Sequence, residues 1–337
     1  MQDTVAGTGL HYVGAPEITA VLEDQARSLL GCLGFGAPDP ELATGDLPFA
    51  WVDIPVVGAQ PVFEVWLGTA PVRRARRGAL RFARDEQVLF GCVEIDADLQ
   101  SDYDAVIYRE YCAIFDCLDE LGYPNLIRAW HYLPDIHLDE HRLGRYKRFS
   151  LGRHEAFVAK GRAISRDAPA ASAVGKRPGN TVIGFLAATR PGTPIENPRQ
   201  VSAYSYPAQY GPRGPTFSRA LFTAWGGVAQ LYISGTASIF GHSSRHQGDP
   251  QAQTAETILN LRSVMREARD HGLIDVCAET DTLIKVYLRR PELKTVVEAQ
   301  LRQAFGADPQ TVWLQADICR SELLLEIEVV CSTRPQA

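Results

Sequence analysis

Residues 311–331, TVWLQADICRSELLLEIEVVC, constrain this chain more than any other stretch. Two β-rich runs, residues 311–319 and 323–331, flank a polar break at Arg320, Ser321 and Glu322. In the second run Glu326 and Glu328 fall on one face and Leu325, Ile327 and Val329 on the other, the two-residue period of a strand. Burying an ionised carboxylate without a partner is heavily penalised. One of the pair is therefore expected to be solvated at a sheet edge, paired with an arginine, or kept protonated for chemistry. Taken alone, the stretch reads first as a half-exposed strand with wet glutamates.

The elements before it run strand (residues 231–240), helix (251–270), strand (282–288), helix (292–305). The first half gives a comparable order. A short helix is expected at 18–30 and strands at 49–54 and 62–66. A hairpin of 79–83 with 87–95 turns at Arg84-Asp85-Glu86. A helix at 101–121 has Ser101 as N-cap and Gly122 just past its end. Then come a strand (126–133), a helix (141–160) and a strand (181–189). The Ala/Ser/Pro/Gly-rich segment 165–180 reads as a loop. Three prolines in RPGTPIENPRQ mark a boundary, which divides the chain into halves 1–195 and 196–337.

Composition excludes several classes. The 337 residues suffice for two domains with cores of their own. A net charge of −6 argues against a nucleic-acid surface. The basic run at residues 73–77 reads as a solvated hairpin turn. Seven Cys and eight His show no metal-ligand spacing, so no metal is expected. No Walker, GxGxxG or GxSxG motif occurs, which leaves nucleotide cofactors without support. With no signal pattern and no membrane-length apolar run, a cytoplasmic protein without a membrane partner is expected.

The strand–helix order from residue 231, closing on LLLEIEVVC, resembles the RidA/YjgF fold. Together with Ser234-Gly235-Thr236-Ala237-Ser238, Cys319-Arg320 and the block ENPRQVSAY…YPAQYGPR, most of the chain resembles the chorismatases, chorismate-hydrolysing enzymes built on that fold. The resemblance implies an α+β protein of two RidA/YjgF-like (chorismate-mutase-like) halves, with mixed β-sheets covered by helices. It also implies no cofactor. A monomer is expected, because two fused halves satisfy internally some of the packing that RidA-like trimers use; a trimer is the alternative.

Chorismate is a dicarboxylate carrying an enolpyruvyl ether on a cyclohexadiene ring. A site for it needs guanidinium groups for two carboxylates, an acid for the enol ether and an apolar pocket for the ring. The arginine candidates are Arg153, Arg213 and Arg219. The resemblance adds Tyr146 and Tyr210 as substrate contacts, although Tyr and Pro beside Arg also fit a rigid surface loop. It makes Glu326 the essential acid, with Glu328 competing, and apolar neighbours should raise that acid's pKa. Cys319 is otherwise a small buried hydrophobe; in this family a Cys there goes with aromatised products. Gly235 and Thr236 suit a place where backbone meets ligand, or simply a bulge. Ala237 stands where a strict 3-hydroxybenzoate former is expected to have Gly. The expected reaction is chorismate to pyruvate and 3-hydroxybenzoate, with 4-hydroxybenzoate beside it. Alternatives are hydrolysis to 3,4-dihydroxycyclohexadiene carboxylate, RidA-type imine deamination, or a binding module without chemistry.

Overall fold

The computed structural model describes residues 9–58, 60–69, 71–96, 102–140, 143–274, 280–306 and 310–333. In the first half the elements are β1 (Gly9–Gly14), α1 (Ala15–Asp24), β2 (Leu29–Phe35), β3 (Phe49–Val52), β4 (Val62–Leu67), β5 (Arg73–Arg77), β6 (Leu80–Arg84), β7 (Val88–Ile95), α2 (Tyr103–Leu121), β8 (Asn125–Pro134), β9 (Asp139–Glu140), β10 (Leu143–Gly144), α3 (Arg145–Ala159), α4 (Ile164–Asp167), β11 (Ala170–Lys176) and β12 (Thr181–Ala188). The second half holds β13 (Thr193–Ile195), β14 (Ala220–Trp225), β15 (Val228–Thr236), β16 (Ile239–Phe240), β17 (Ser243–Ser244), α5 (Pro250–Asp270), β18 (Thr280–Leu288), α6 (Lys294–Phe305), β19 (Gln310–Gln315) and β20 (Leu325–Thr333).

Two six-stranded mixed sheets carry the architecture, ordered β11-β8-β12-β7-β6-β5 and β13-β14-β15-β20-β18-β19, with a four-stranded sheet β1-β4-β2-β3 beside them. Each large sheet is covered by a pair of helices. Tyr103, Ile107, Tyr111 and Ile114 of α2, with Phe149 and Phe157 of α3, pack on Val93, Ala129 and Phe185 of the first. Leu261 and Met265 of α5, with Val297 and Leu301 of α6, pack on Ile233, Ile284 and Ile327 of the second. A third cluster, containing Leu33, Trp66, Trp130, Tyr232 and Tyr287, joins all three sheets. The α+β class with helix-covered mixed sheets is as expected.

The halves also meet through backbone. Ser218 N donates to Pro169 O (3.0 Å) and Gly175 N to Asp317 O (2.7 Å), so β11 lies along the edge of the second half near β15.

Several expectations need correction. Residues 18–30 are not one helix: α1 ends at Asp24, and Leu29 and Leu30 open β2, whose seven residues are all buried. A run buried on both faces suits a strand covered on both sides rather than an amphipathic helix. The basic run is not a turn but the edge strand β5, antiparallel to β6. Charge on an edge strand opposes pairing with another chain. The supposed loop 165–180 contains α4 and β11, the latter parallel to β8 and largely buried. Small residues (AASAVGK) gave it no visible period. The helix expected from His141 begins at Arg145, and His141 itself, like the proposed cap Ser101, lies outside the described residues. Gly122 does end α2, at φ +81°.

Candidate active site

β20 lies in the middle of its sheet, between β15 and β18, so its two glutamates have no solvated edge. Both are 5% exposed. Their environments divide them. Glu328 Oε2 accepts from Arg128 Nη2 of β8 and from Trp130 Nε1 (2.9 Å). Its Oε1 accepts from Tyr287 Oη and lies 3.2 Å from Lys285 Nζ. Lys285 also stands 2.7 Å from Glu64 Oε1 of β4. Burial pushes the Glu328 carboxyl up, but Lys285, Arg128 and the Tyr287 hydroxyl together hold it well below the usual range. Two cations and two carboxylates thus meet between the three sheets, where burial pushes the Glu64 carboxyl up against the pull of Lys285.

Glu326, two residues earlier on the same face, is left over. Burial, then the Glu328 charge, raise its pKa to about 8 against the weaker pull of Arg128. Near neutral pH it is a protonated acid. Its room is made by Gly235: a Cβ there would collide with the Glu326 carboxyl. The β15–β20 register shifts between Ile233 and Thr236, so Gly235 occupies a bulge and also faces the cavity. Both readings of that glycine hold.

A cavity of about 570 Å³ opens above Glu326, within the usual range for small-molecule sites. Its wall includes Tyr146, Arg153, Tyr210, Arg219, Gly235, Ala237, Cys319 and Glu326, which the fold draws from α3, the loop before β14, the end of β15 with the residue after it, the turn before β20, and β20 itself. Arg213 and Thr236 are not brought there. Arg213 is exposed, and the buried Thr236 hydroxyl donates to Ser234 O (2.7 Å).

Arg153 is 3% exposed, stacks on Tyr111 and Phe157, and donates through Nη1 to Thr216 O. Its Nε and Nη2 have no hydrogen-bond partner among the described residues. Arg153 lines the cavity, where a guanidinium suits a carboxylate. Arg219 donates through Nη2 to Val201 O (2.7 Å) and Tyr206 Oη (2.8 Å), and its Nε has no partner among the described residues. Tyr210 hydrogen-bonds His242 Nδ1 (3.2 Å) and is stacked by Arg320, 4.0 Å from its ring centre. Burial raises both the Tyr146 phenol and the Cys319 thiol, the latter to about 12, and the nearby Glu326 adds to each. A thiol so held is no nucleophile.

Sequence reasoning missed Arg128, His131, Ser172 and Lys285. Arg128 in NLIRAW and Lys285 in TLIKVY are charges inside apolar strands. That is the same signal that exposed Glu328, and it could have found both. Ser172 and His131 carry none.

Residues 64–187 match the family model described as chorismatase FkbO/Hyg5-like, N-terminal. A 3-hydroxybenzoate synthase of Streptomyces hygroscopicus is 35% identical over 321 residues, covering 92% of this chain and 93% of that protein. A chorismatase of Streptomyces rapamycinicus is 34% identical, over 79% of this chain and 81% of its own length. A crystal structure of a chorismatase superposes with a TM-score of 0.85 at 29% identity, covering 97% of this chain and 99% of that one. The chain belongs to the chorismatase family.

Proposed function

We propose that the protein converts chorismate to pyruvate and 3-hydroxybenzoate, with Glu326 as the acid. The observation that carries this reading is a buried carboxyl on the cavity wall with no ion pair among the described residues, beside a second one held by Arg128 and Lys285, an arrangement that pushes the first pKa up and the second down. Separated pKa values within one pair of carboxyls assign acid and spectator. Glu326 gives its proton to the enolpyruvyl methylene carbon, which becomes the methyl group of pyruvate. The ether bond to the ring breaks and its electron pair leaves with pyruvate. The ring cation then loses one proton, which Glu326 takes back. Chorismate thus divides into pyruvate and a hydroxybenzoate with no net water and no oxidant.

Loss of the ring proton with the C4 hydroxyl in place gives 4-hydroxybenzoate. For 3-hydroxybenzoate the oxygen passes from C4 to C3, which requires a ring held still and water kept away. Cys319 and Tyr146 are the wall groups in electrostatic reach of Glu326 that do this. Arg153 and Arg219 take the carboxylates, and Tyr210, Gly235 and Ala237 shape the pocket. For Arg213 and Thr236 the geometry offers no contact role. The 3-hydroxybenzoate synthase relative supports this product, and Ala237 keeps 4-hydroxybenzoate as a side product.

Division at 195/196 and a monomeric, cytoplasmic state are part of the proposal. The strands change sheets between Ala188 and Thr193, and the described cysteines are all free thiols. No helix among the described residues is long and apolar enough to cross a membrane.

The test is incubation with chorismate and chromatography of the products, with Glu326→Gln in parallel. Pyruvate and 3-hydroxybenzoate from the wild type and a loss of about a thousandfold in the variant are expected. A dihydrodiol, no pyruvate, or a fully active variant contradicts the reading.

A further inference from the structure

Ser172 of β11 stands where the buried charges meet the cavity. Its Oγ accepts from Arg128 Nη2 (2.6 Å) and from the backbone N of Gly235 (3.0 Å). A hydroxyl has two lone pairs and one proton. Both lone pairs are taken by groups that cannot accept in return, so the Ser172 proton has to be given elsewhere. The residue is fixed from behind as well. Its carbonyl accepts from His131 Nδ1 (2.7 Å), and His131 Nε2 then accepts from the Tyr111 hydroxyl. Burial, followed by the Arg153 charge, keeps that imidazole neutral, which agrees with this tautomer.

The remaining direction is the cavity, which Ser172 and Glu326 both line. A Cβ placed on Gly235 would collide with Glu326 Oε1 and stand 3.1 Å from Ser172 Oγ. The two oxygens therefore flank the same small space over the glycine.

We propose that Ser172 is a positioning residue for the reaction, donating its hydroxyl proton to Glu326 Oε1 and so turning the other carboxyl oxygen, which carries the acidic proton, toward the substrate. The inference rests on the reading of Glu326 as the acid. A donor to a carboxyl favours the ionised form. Ser172 thus offsets part of the burial that makes Glu326 a weak acid, and it relays the balance of the Arg128–Glu328 pair to the reacting group. The other titratable groups facing Glu326 are Glu328 on its own strand, Arg128 from β8, Tyr146 from α3 and Cys319 from the turn before β20. None of these is altered in the test.

The test is the titration of Glu326 in wild type and Ser172→Ala, by carbon-13 NMR of labelled glutamate carboxyls, the signal being assigned by its loss in Glu326→Gln. In Ser172→Ala the midpoint should rise by about one unit, with kcat for chorismate down about tenfold and KM within about twofold. Ser172→Thr, which keeps the hydroxyl, should restore the wild-type midpoint. If the alanine variant does not fold, Ser172→Cys, with a weaker donor, should show a smaller rise. An unmoved midpoint in the folded variant overturns the inference, since loss of a merely structural hydrogen bond would lower stability without moving this titration. If the wild type releases no pyruvate, the proposed reaction fails, while the midpoints still decide the role of Ser172.

Discussion

Arg128 and Lys285 both close on Glu328, while Glu326, two residues away on the same face of β20, forms no ion pair among the described residues. That asymmetry makes one carboxyl an anion and its neighbour an acid. It carries a stability cost as well as a function. A carboxyl whose pKa is raised by folding holds its proton more tightly folded than unfolded. The stability this provides is fully present below the unfolded value of about 4.3 and is lost as pH climbs toward about 8.

Glu326→Gln should therefore be inactive and yet more stable. Its melting temperature should match the wild type near pH 4 and exceed it increasingly from pH 5 to 8, by up to a few kcal/mol of unfolding free energy. Calorimetry across that range checks it. A variant that gains nothing at pH 8 would mean that Glu326 is not held neutral.

Gly235→Ala places a methyl group against the Glu326 carboxyl. The carboxyl is the free end of its side chain, so it swings aside and the strand survives. We expect a cooperative melt close to that of the wild type with kcat down about a hundredfold, the usual consequence of displacing a reacting group by an ångström. A fully active Gly235→Ala variant would show that the carboxyl does its work from another position.

Cys319, with a thiol pushed up to about 12, should resist alkylation at pH 8 under conditions that modify an ordinary exposed thiol. Cys319→Ala should still release pyruvate. The space left by the sulfur admits water beside the ring, so 3-hydroxybenzoate should give way in part to the dihydrodiol. Chromatography of the products reads the ratio, and an unchanged ratio removes Cys319 from product control.

Arg153→Met keeps the packing on Tyr111 and Phe157 but loses the guanidinium from the cavity wall. KM for chorismate should rise by about ten- to a hundredfold, the worth of a charge-assisted pair, with kcat changing less. Equal loss in kcat alone would place Arg153 at the transition state rather than at a carboxylate.

Much of this was legible in the chain. The two-residue period of LLLEIEVV put both glutamates on one face, but it did not say that the closing strand is central in its sheet. What the period does not say is which glutamate meets a cation, because Arg128 and Lys285 come from strands far away in sequence. The outcome used two of the three options open to such a pair: Glu328 is paired, and Glu326 is kept protonated. β11 was invisible because small residues form a strand only through its neighbours, and with it went Ser172. Arg213 looked suitable by its company of Tyr and Pro. In space that company faces solvent at Arg213 and the cavity at Tyr210 and Arg219, a difference no local spacing records.

The most direct test of the account is the pH dependence of kcat/KM for chorismate between pH 5 and 10. A single essential acid in the free enzyme predicts a plateau at low pH and a tenfold fall per unit above about 8. A rate that instead stays level from pH 5 to 10 would mean that Glu326 works as a carboxylate, and would contradict the central claim.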